Sequence, residues 1–107
     1  MTYRVYLVDE AEADVLDIYR YVQANDSTEK ADYVFSRLQE ACEGLCDHPH
    51  RGHTPQELER VNVFEYREIH FKPYRIIYRV TERRVFVHCI LDGRRELQEL
   101  LLRRLVR

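Results

Sequence analysis

Three short apolar runs joined by two tight turns constrain the fold of this chain more than any other feature of its sequence. Residues 66–71, 74–80 and 85–91 are rich in β-branched and aromatic side chains, which favours strands. The dipeptide Lys72-Pro73 separates the first two runs, and the tetrapeptide TERR at 81–84 separates the last two. Connections this short join antiparallel neighbours, because parallel strands need a long crossover. The second half of the chain therefore predicts an antiparallel sheet.

The first half predicts one strand followed by two amphipathic helices. Residues 2–8 read TYRVYLV, which is a strand pattern. We expect Asp9 to cap the first helix, with Glu12 as the reciprocal partner three residues later. The tetrapeptide NDST at 25–28 is expected to end that helix and to cap the second. Apolar residues recur at spacings of three and four in both segments, which places one face of each helix in a core.

A last helix over 94–105, with leucines on one side, completes the predicted order β-α-α-β-β-β-α. Residues 47–61 lie between the helices and the sheet and predict a polar loop. At 107 residues the chain is expected to form a single domain, 1–107. The predicted class is α+β, with an N-terminal helical hairpin packed on a small, twisted, mainly antiparallel sheet and a C-terminal helix.

Charge divides the chain into an acidic half and a basic half. Residues 1–50 hold 4 Lys/Arg against 11 Asp/Glu, whereas residues 51–107 hold 13 against 8. Any contact with an anion is therefore expected on the sheet and the last helix, unless each half is simply a solvated surface. Three cysteines without framework spacing predict a reduced, cytoplasmic protein, and no apolar run is long enough to predict a membrane span.

The stretch CDHPHRGH, residues 46–53, raises the question of a zinc site. Zinc needs convergent ligands, usually four in a structural site. Pro49 stops the second helix and Gly52 supplies turn conformations, so both fit a hinge and hold the neighbouring histidines poorly. We interpret the stretch as a hinge between the two halves and predict no metal site and no cofactor.

Cations on the predicted strands are the candidates for binding an anion. Strand alternation places Arg75 and Arg79 on one face of their strand, with Ile77 between them, and Arg67 lies on the strand before. Cations on rigid strands with apolar backing suit a phosphate or a nucleic acid, although a half-exposed sheet carries the same pattern. His88, on the last strand, is a candidate general acid or base.

Four segments in this order resemble the RelE/ParE superfamily of type II toxin–antitoxin toxins, often labelled plasmid stabilisation proteins. The segments are the strand and acidic-start helix at 5–21, the loop HPHRG at 48–52, the block YREIHFKPYRIIYRV at 66–80, and the sequence LDGRREL at 91–97. Each is weak alone, but their order and spacing are specific and span nearly the whole chain. The resemblance implies the RelE/ParE fold.

The superfamily carries two activities on one fold, so the fold alone does not decide the function. The resemblance implies either a ParE-like inhibitor of DNA gyrase or, as the alternative, a RelE-like ribosome-dependent mRNA endoribonuclease. RelE-type toxins use strand cations and a C-terminal Tyr or His. No Tyr or His follows His88 here, and the last strand leads through Asp92-Gly93-Arg94-Arg95 towards a helix. The chain is therefore more similar to the ParE side.

The resemblance also implies site residues and partners. The target contacts of a gyrase inhibitor would be Arg75, Arg79, Arg94 and Arg95. The catalytic set of the alternative endoribonuclease would be Arg67, Arg75, Arg79 and His88. In both cases a cognate antitoxin would neutralise the toxin by folding a disordered arm onto the two N-terminal helices or an open sheet edge.

Overall fold

The computed structural model describes residues 2–106 and has the predicted α+β fold. Its elements in chain order are β1 (Arg4–Leu7), α1 (Asp9–Asn25), α2 (Thr28–Glu43), a 3₁₀ turn (Gly44–Cys46), α3 (Gln56–Glu59), β2 (Tyr66–Phe71), β3 (Tyr74–Thr81), β4 (Arg84–Asp92) and α4 (Gln98–Leu105). Apart from α3 and the 3₁₀ turn, this is the order that the sequence predicts.

The four strands form one sheet in the order β1-β4-β3-β2. The β2–β3 and β3–β4 pairs are antiparallel, which confirms the prediction from the two short turns. β1 pairs with β4 in parallel. Such a pair needs a long connection, and α1 and α2 form the first part of the segment that joins β1 to the other strands. The sheet is thus mainly antiparallel, with one parallel edge strand.

The two faces of the sheet belong to two separate apolar clusters. Tyr74, Ile76 and Tyr78 face α1 and α2, in a cluster that also holds Leu38. Ile77 faces the opposite way. Ile77 packs in a second cluster with side chains of α3, β2, β4 and the segment that contains α4. These are Leu58, Tyr66, Cys89, Leu91, Leu97 and Leu101. Strand alternation thus sorts β3 as predicted, and each face buries a full apolar layer.

A register shift in β4 places His88 beside the second cluster. Ile77 pairs with Cys89, but the next residue of β3, Tyr78, pairs with Val87, so His88 is the extra residue of a β-bulge. The His88 ring meets the Tyr66 ring edge to face, with centroids 5.4 Å apart. The bulge therefore presents His88 on the α4 side of the sheet.

Two details of the helices differ from the predictions. Asp9 is wrong as a cap, because it is already the first residue of α1 and the Glu12 N–H donates to the Val8 carbonyl oxygen. The acidic residues of this first turn still oppose the helix dipole. The second cap is confirmed, since Ser27 Oγ accepts a hydrogen bond of 3.0 Å from the Lys30 N–H.

The loop 47–61 and the last helix also depart from expectation. The loop contains α3, a single turn whose Leu58 is fully buried under α4. α4 spans eight residues instead of the predicted twelve. The reason lies in Asp92, whose carboxylate accepts a 2.9 Å bond from the Arg94 N–H and so holds the chain in a turn. Arg94 and Arg95 therefore lie in a turn before the helix.

Gly52 is needed for space and not for an unusual backbone angle. A Cβ atom at this position would lie 2.4 Å from the Glu68 carbonyl oxygen and 2.8 Å from the Tyr78 hydroxyl. The expectation that Gly52 supplies a special turn conformation is wrong, because its φ is not positive. No helix within residues 2–106 is long and apolar enough to cross a membrane.

Candidate functional site

Arg75 is the centre of a network of charges on the α4 side of the sheet. Its guanidinium donates two bonds of 2.7 Å to the Glu57 carboxylate, and bonds of 2.7 and 3.1 Å to that of Glu68. Four of its five N–H groups are thereby used. Arg75 and Glu57 are each 14% exposed and the Glu68 side chain is 4% exposed. This cation is already neutralised by the protein.

The pKa values agree with this geometry. The hydrogen bonds from Arg75 hold the pKa of Glu57 below its ordinary range. Its bonds to Glu57, and then to Glu68, raise the pKa of Arg75, although burial acts against them. Glu57 and Arg75 are therefore both charged at neutral pH. Two carboxylates surround the one guanidinium, so the Arg75 network is a poor place for a phosphate.

Arg79 and His88 lie together at the other end of the same face. The Arg79 guanidinium is exposed and lies 6.0 Å from the centroid of the Tyr66 ring. Burial, and then the positive charges of Arg79 and Arg104, lower the pKa of His88, so its imidazole is neutral at pH 7. A neutral imidazole beside an exposed arginine is able to accept a proton near an anion.

The four residues of the predicted nuclease set do not converge. Arg75 and Arg79 are four residues apart on β3, which is about 13 Å along a strand. Ile77 lies between them, fully buried against α4. Arg67 is directed away from both, since its Nη1 donates to the His50 and Gly52 carbonyl oxygens at 3.1 and 2.7 Å. Arg67 therefore fastens the loop to β2.

Arg94 and Arg95, by contrast, are presented to solvent in the turn between β4 and α4. Arg94 is 70% exposed and forms a two-point ion pair with Asp92, at 2.7 and 3.0 Å. Arg95 is also exposed. The Gly93 N–H donates to the Pro73 carbonyl oxygen at 2.7 Å, so the exposed Lys72 in the β2–β3 turn lies at the same end of the sheet. We call Lys72, Arg94 and Arg95 the basic end.

Comparison with known proteins identifies the family of this chain. The family model described as the ParE toxin of type II toxin–antitoxin system, parDE, matches residues 5–97. The chain belongs to this family. It is thus the toxin of a type II toxin–antitoxin system, as the resemblance implied. A search of curated sequences found no significant match to this toxin.

Two solved structures share the fold of the toxin. A structure titled as the chromosomal ParDE system from P. aeruginosa superposes with a TM-score of 0.70 at 18% identity, over 84% of this chain and 95% of the other. The toxin–antitoxin complex RelBE2 from Mycobacterium tuberculosis gives 0.64 at 14% identity, over 86% and 99%. At such identities the likeness shows the shared fold.

An ion pair that the sequence did not predict fixes α4 of the toxin to α1. Arg104 Nη1 lies 3.0 Å from both carboxylate oxygens of Asp14, and its Nη2 donates to the His88 carbonyl oxygen at 2.7 Å. Asp14 also accepts from the Ile90 N–H at 3.0 Å. The Asp14 side chain is therefore only 13% exposed, although it lies in the acidic first helix. No local signal reveals this pair, because 90 residues separate the partners.

An apolar groove of about 710 Å³ lies between α1 and α2 of the toxin. Its lining includes Leu16 and Phe35, which remain 46% and 44% exposed. Acidic residues, among them Glu12 and Asp32, stand along its rim. Large apolar side chains that stay exposed at such a groove are typical of a surface that a partner covers.

Proposed function

We propose that this toxin inhibits growth by acting on DNA gyrase and that a cognate antitoxin neutralises it. The observation that carries the choice of target is the separation of the predicted nuclease residues. Buried apolar side chains under α4 divide Arg75 from Arg79 and His88, and Arg75 is already neutralised by two carboxylates. An active site for phosphoryl transfer needs several cations around one phosphate. The match to the ParE family supports the same choice.

We place the gyrase contact at the basic end. A target carboxylate or phosphate can replace Asp92 on Arg94 at little cost, because exposed ion pairs are weak and screened by salt. Arg95 adds a second exposed cation in the same turn. Of the other predicted contacts, Arg79 lies too far along β3 to join the basic end. Arg75 supports the basic end from below, since its side chain packs against Gly93.

The endoribonuclease remains the second candidate because Arg79 and His88 lie side by side. Together they would supply one cation for a phosphate and one neutral imidazole for proton transfer. This pair lacks the further cations that the family resemblance implied. Either target would require the predicted cytoplasmic location.

The two candidates are separated by assaying the purified toxin on both targets. Supercoiling of relaxed plasmid by gyrase is measured at increasing toxin, and messenger RNA cleavage is mapped in a reconstituted translation reaction. The proposal expects loss of supercoiling with uncut messages. Unchanged supercoiling together with cleavage in the ribosomal A site would establish the alternative.

For the antitoxin, we propose the groove between α1 and α2 as the binding surface. Both similar structures come from toxin–antitoxin systems, and one is titled a toxin–antitoxin complex. An amphipathic helix of the antitoxin arm would lay its apolar face on Leu16 and Phe35, with basic residues against the acidic rim.

This surface is tested with two phenylalanines of similar exposure. Phe35→Ala is expected to weaken antitoxin binding about tenfold or more, whereas Phe64→Ala, outside the groove and 57% exposed, should leave it unchanged. Equal affinities of both variants and the unaltered toxin, measured by calorimetry, would place the antitoxin elsewhere.

A further inference from the structure

Two imidazoles and one carboxylate come together at the outer edge of β2, away from the groove and in a cleft that Lys72 and Arg94 of the basic end also line. One ligand atom from each of His53, Glu68 and His70 lies within 4.8 Å of the other two. Glu68 Oε1 is 3.2 Å from His70 Nε2, and Glu68 Oε2 is 3.8 Å from His53 Nδ1. We propose that these three residues bind a divalent transition-metal ion of the zinc type.

The backbone holds the three ligands in register. Glu68 and His70 are alternate residues of β2 and therefore point to the same side of the sheet. His53 is paired with Glu68 across the edge by two backbone bonds, of 3.2 Å from the His53 N–H and 2.7 Å from the Glu68 N–H. Three ligands thus stand on paired backbone and not on a free loop, as a defined metal site requires.

The distances require little movement. Bonds of about 2.0–2.2 Å place neighbouring ligand atoms of a tetrahedral ion about 3.4 Å apart. The two separations from Glu68, each to a different carboxylate oxygen, lie within a few tenths of an ångström of that value, and the three ligand atoms lie within 4.8 Å of one another. The His53 side chain is 64% exposed and its Nδ1 also lies 3.2 Å from the Thr54 carbonyl oxygen. Metal binding would replace this weak contact by rotation of a ring with room to move.

Charge favours a cation at this point. Two carboxylates, of Glu57 and Glu68, share the one guanidinium of Arg75. The Glu68 carboxylate is 4% exposed, so water screens it poorly. Arg75 also orients this carboxylate with two hydrogen bonds, the role that outer-sphere partners have at metal sites. A divalent ion would be attracted by the second carboxylate, which Arg75 alone does not neutralise.

The ligand set indicates the class of ion. Two imidazoles and a carboxylate are donors for zinc and similar first-row ions, and they leave a fourth position for water or a partner's side chain. His48, His50 and Cys46 belong to the same histidine-rich stretch as His53 but not to this group. The stretch thus contributes one ligand, His53, to a site that differs from the zinc site considered in the sequence.

Zinc titration of the complete, untagged toxin tests the site. We expect one equivalent of Zn²⁺ to bind by calorimetry and to raise the melting temperature by about 5–10 °C at saturation. His53→Ala and His70→Ala should each lower the affinity about tenfold or more, since even outer-sphere partners have effects of that size. His48→Ala, in the same loop, should bind zinc like the unaltered chain.

The exposed position of both histidines keeps the variants folded, which circular dichroism without metal would verify. Equal zinc affinity in His53→Ala and the unaltered toxin would overturn the proposal. So would a cobalt complex with a thiolate-to-metal charge-transfer band, because that band would assign the ion to a cysteine instead.

Discussion

Replacing Arg75 by Met should destabilise the fold strongly, because it leaves the buried Glu68 carboxylate without its cation. Met keeps the apolar stem that packs against Gly93 but removes all four hydrogen bonds to Glu57 and Glu68. Removal of one partner of a buried ion pair costs about 3–5 kcal/mol. Since the three side chains are still 4–14% exposed, we expect the low end, about 3 kcal/mol. The melting temperature should fall by about 10–15 °C.

Urea denaturation at pH 7 gives the free energy of unfolding of each variant. Arg94→Met is the matched control, since it removes an arginine–carboxylate ion pair whose arginine side chain is 70% exposed. Its free energy of unfolding should fall far less than that of Arg75→Met. The loss in Arg75→Met should shrink at acidic pH, where protonation of the stranded carboxylates removes their need for a cation. Equal losses in both variants would refute the claim that Arg75 is held inside the fold as a structural cation.

Three further predictions concern single sites. Gly52→Ala should destabilise by about 2–3 kcal/mol in urea denaturation, because its Cβ would meet the Glu68 carbonyl oxygen, whereas Gly44→Ala, with no atom nearer than 3.9 Å, should not. Burial lowers the pKa of His88 below 6.5 in the folded protein. The unfolded chain therefore binds more protons than the folded chain near pH 6.5, and the free energy of unfolding decreases as the pH drops through that value. His88→Gln should therefore lose less stability between about pH 7 and pH 5, and an unchanged pH slope would contradict this. Cys46 should react with a thiol reagent before the two buried cysteines, whose pKa values burial raises to about 12, and peptide mass spectrometry would show the order.

The sheet could be predicted from the sequence because its information is local. Strand alternation and two short turns define 66–91, and the observed β2, β3 and β4 begin and end within one residue of the predicted runs. The helix caps were less certain, since Asp9 and Ser27 are both good caps but only Ser27 is used. α3 is a single turn whose apolar signal is one leucine, too little for a periodicity.

The site could be predicted only in part, because its interactions join distant segments. The alternation of β3 correctly placed Arg75 and Arg79 on one face. The pattern does not reveal that Glu57, from the segment predicted as a loop, neutralises Arg75. The bulge at His88 likewise has no signature in the sequence, although it decides which side of the sheet the imidazole faces. Residue types gave the candidates, and tertiary packing decided which cations stay exposed.

The target contact is tested most directly by gyrase inhibition with paired arginine variants. Arg94→Ala/Arg95→Ala changes the basic end, whereas Arg83→Ala/Arg84→Ala changes two exposed arginines in the turn at the opposite end of the sheet. We predict that the first pair raises the toxin concentration for half-inhibition of supercoiling about tenfold or more and that the second pair leaves it unchanged. Full inhibition by the first pair would contradict the proposed contact, and absence of inhibition by the unaltered toxin would contradict gyrase as the target.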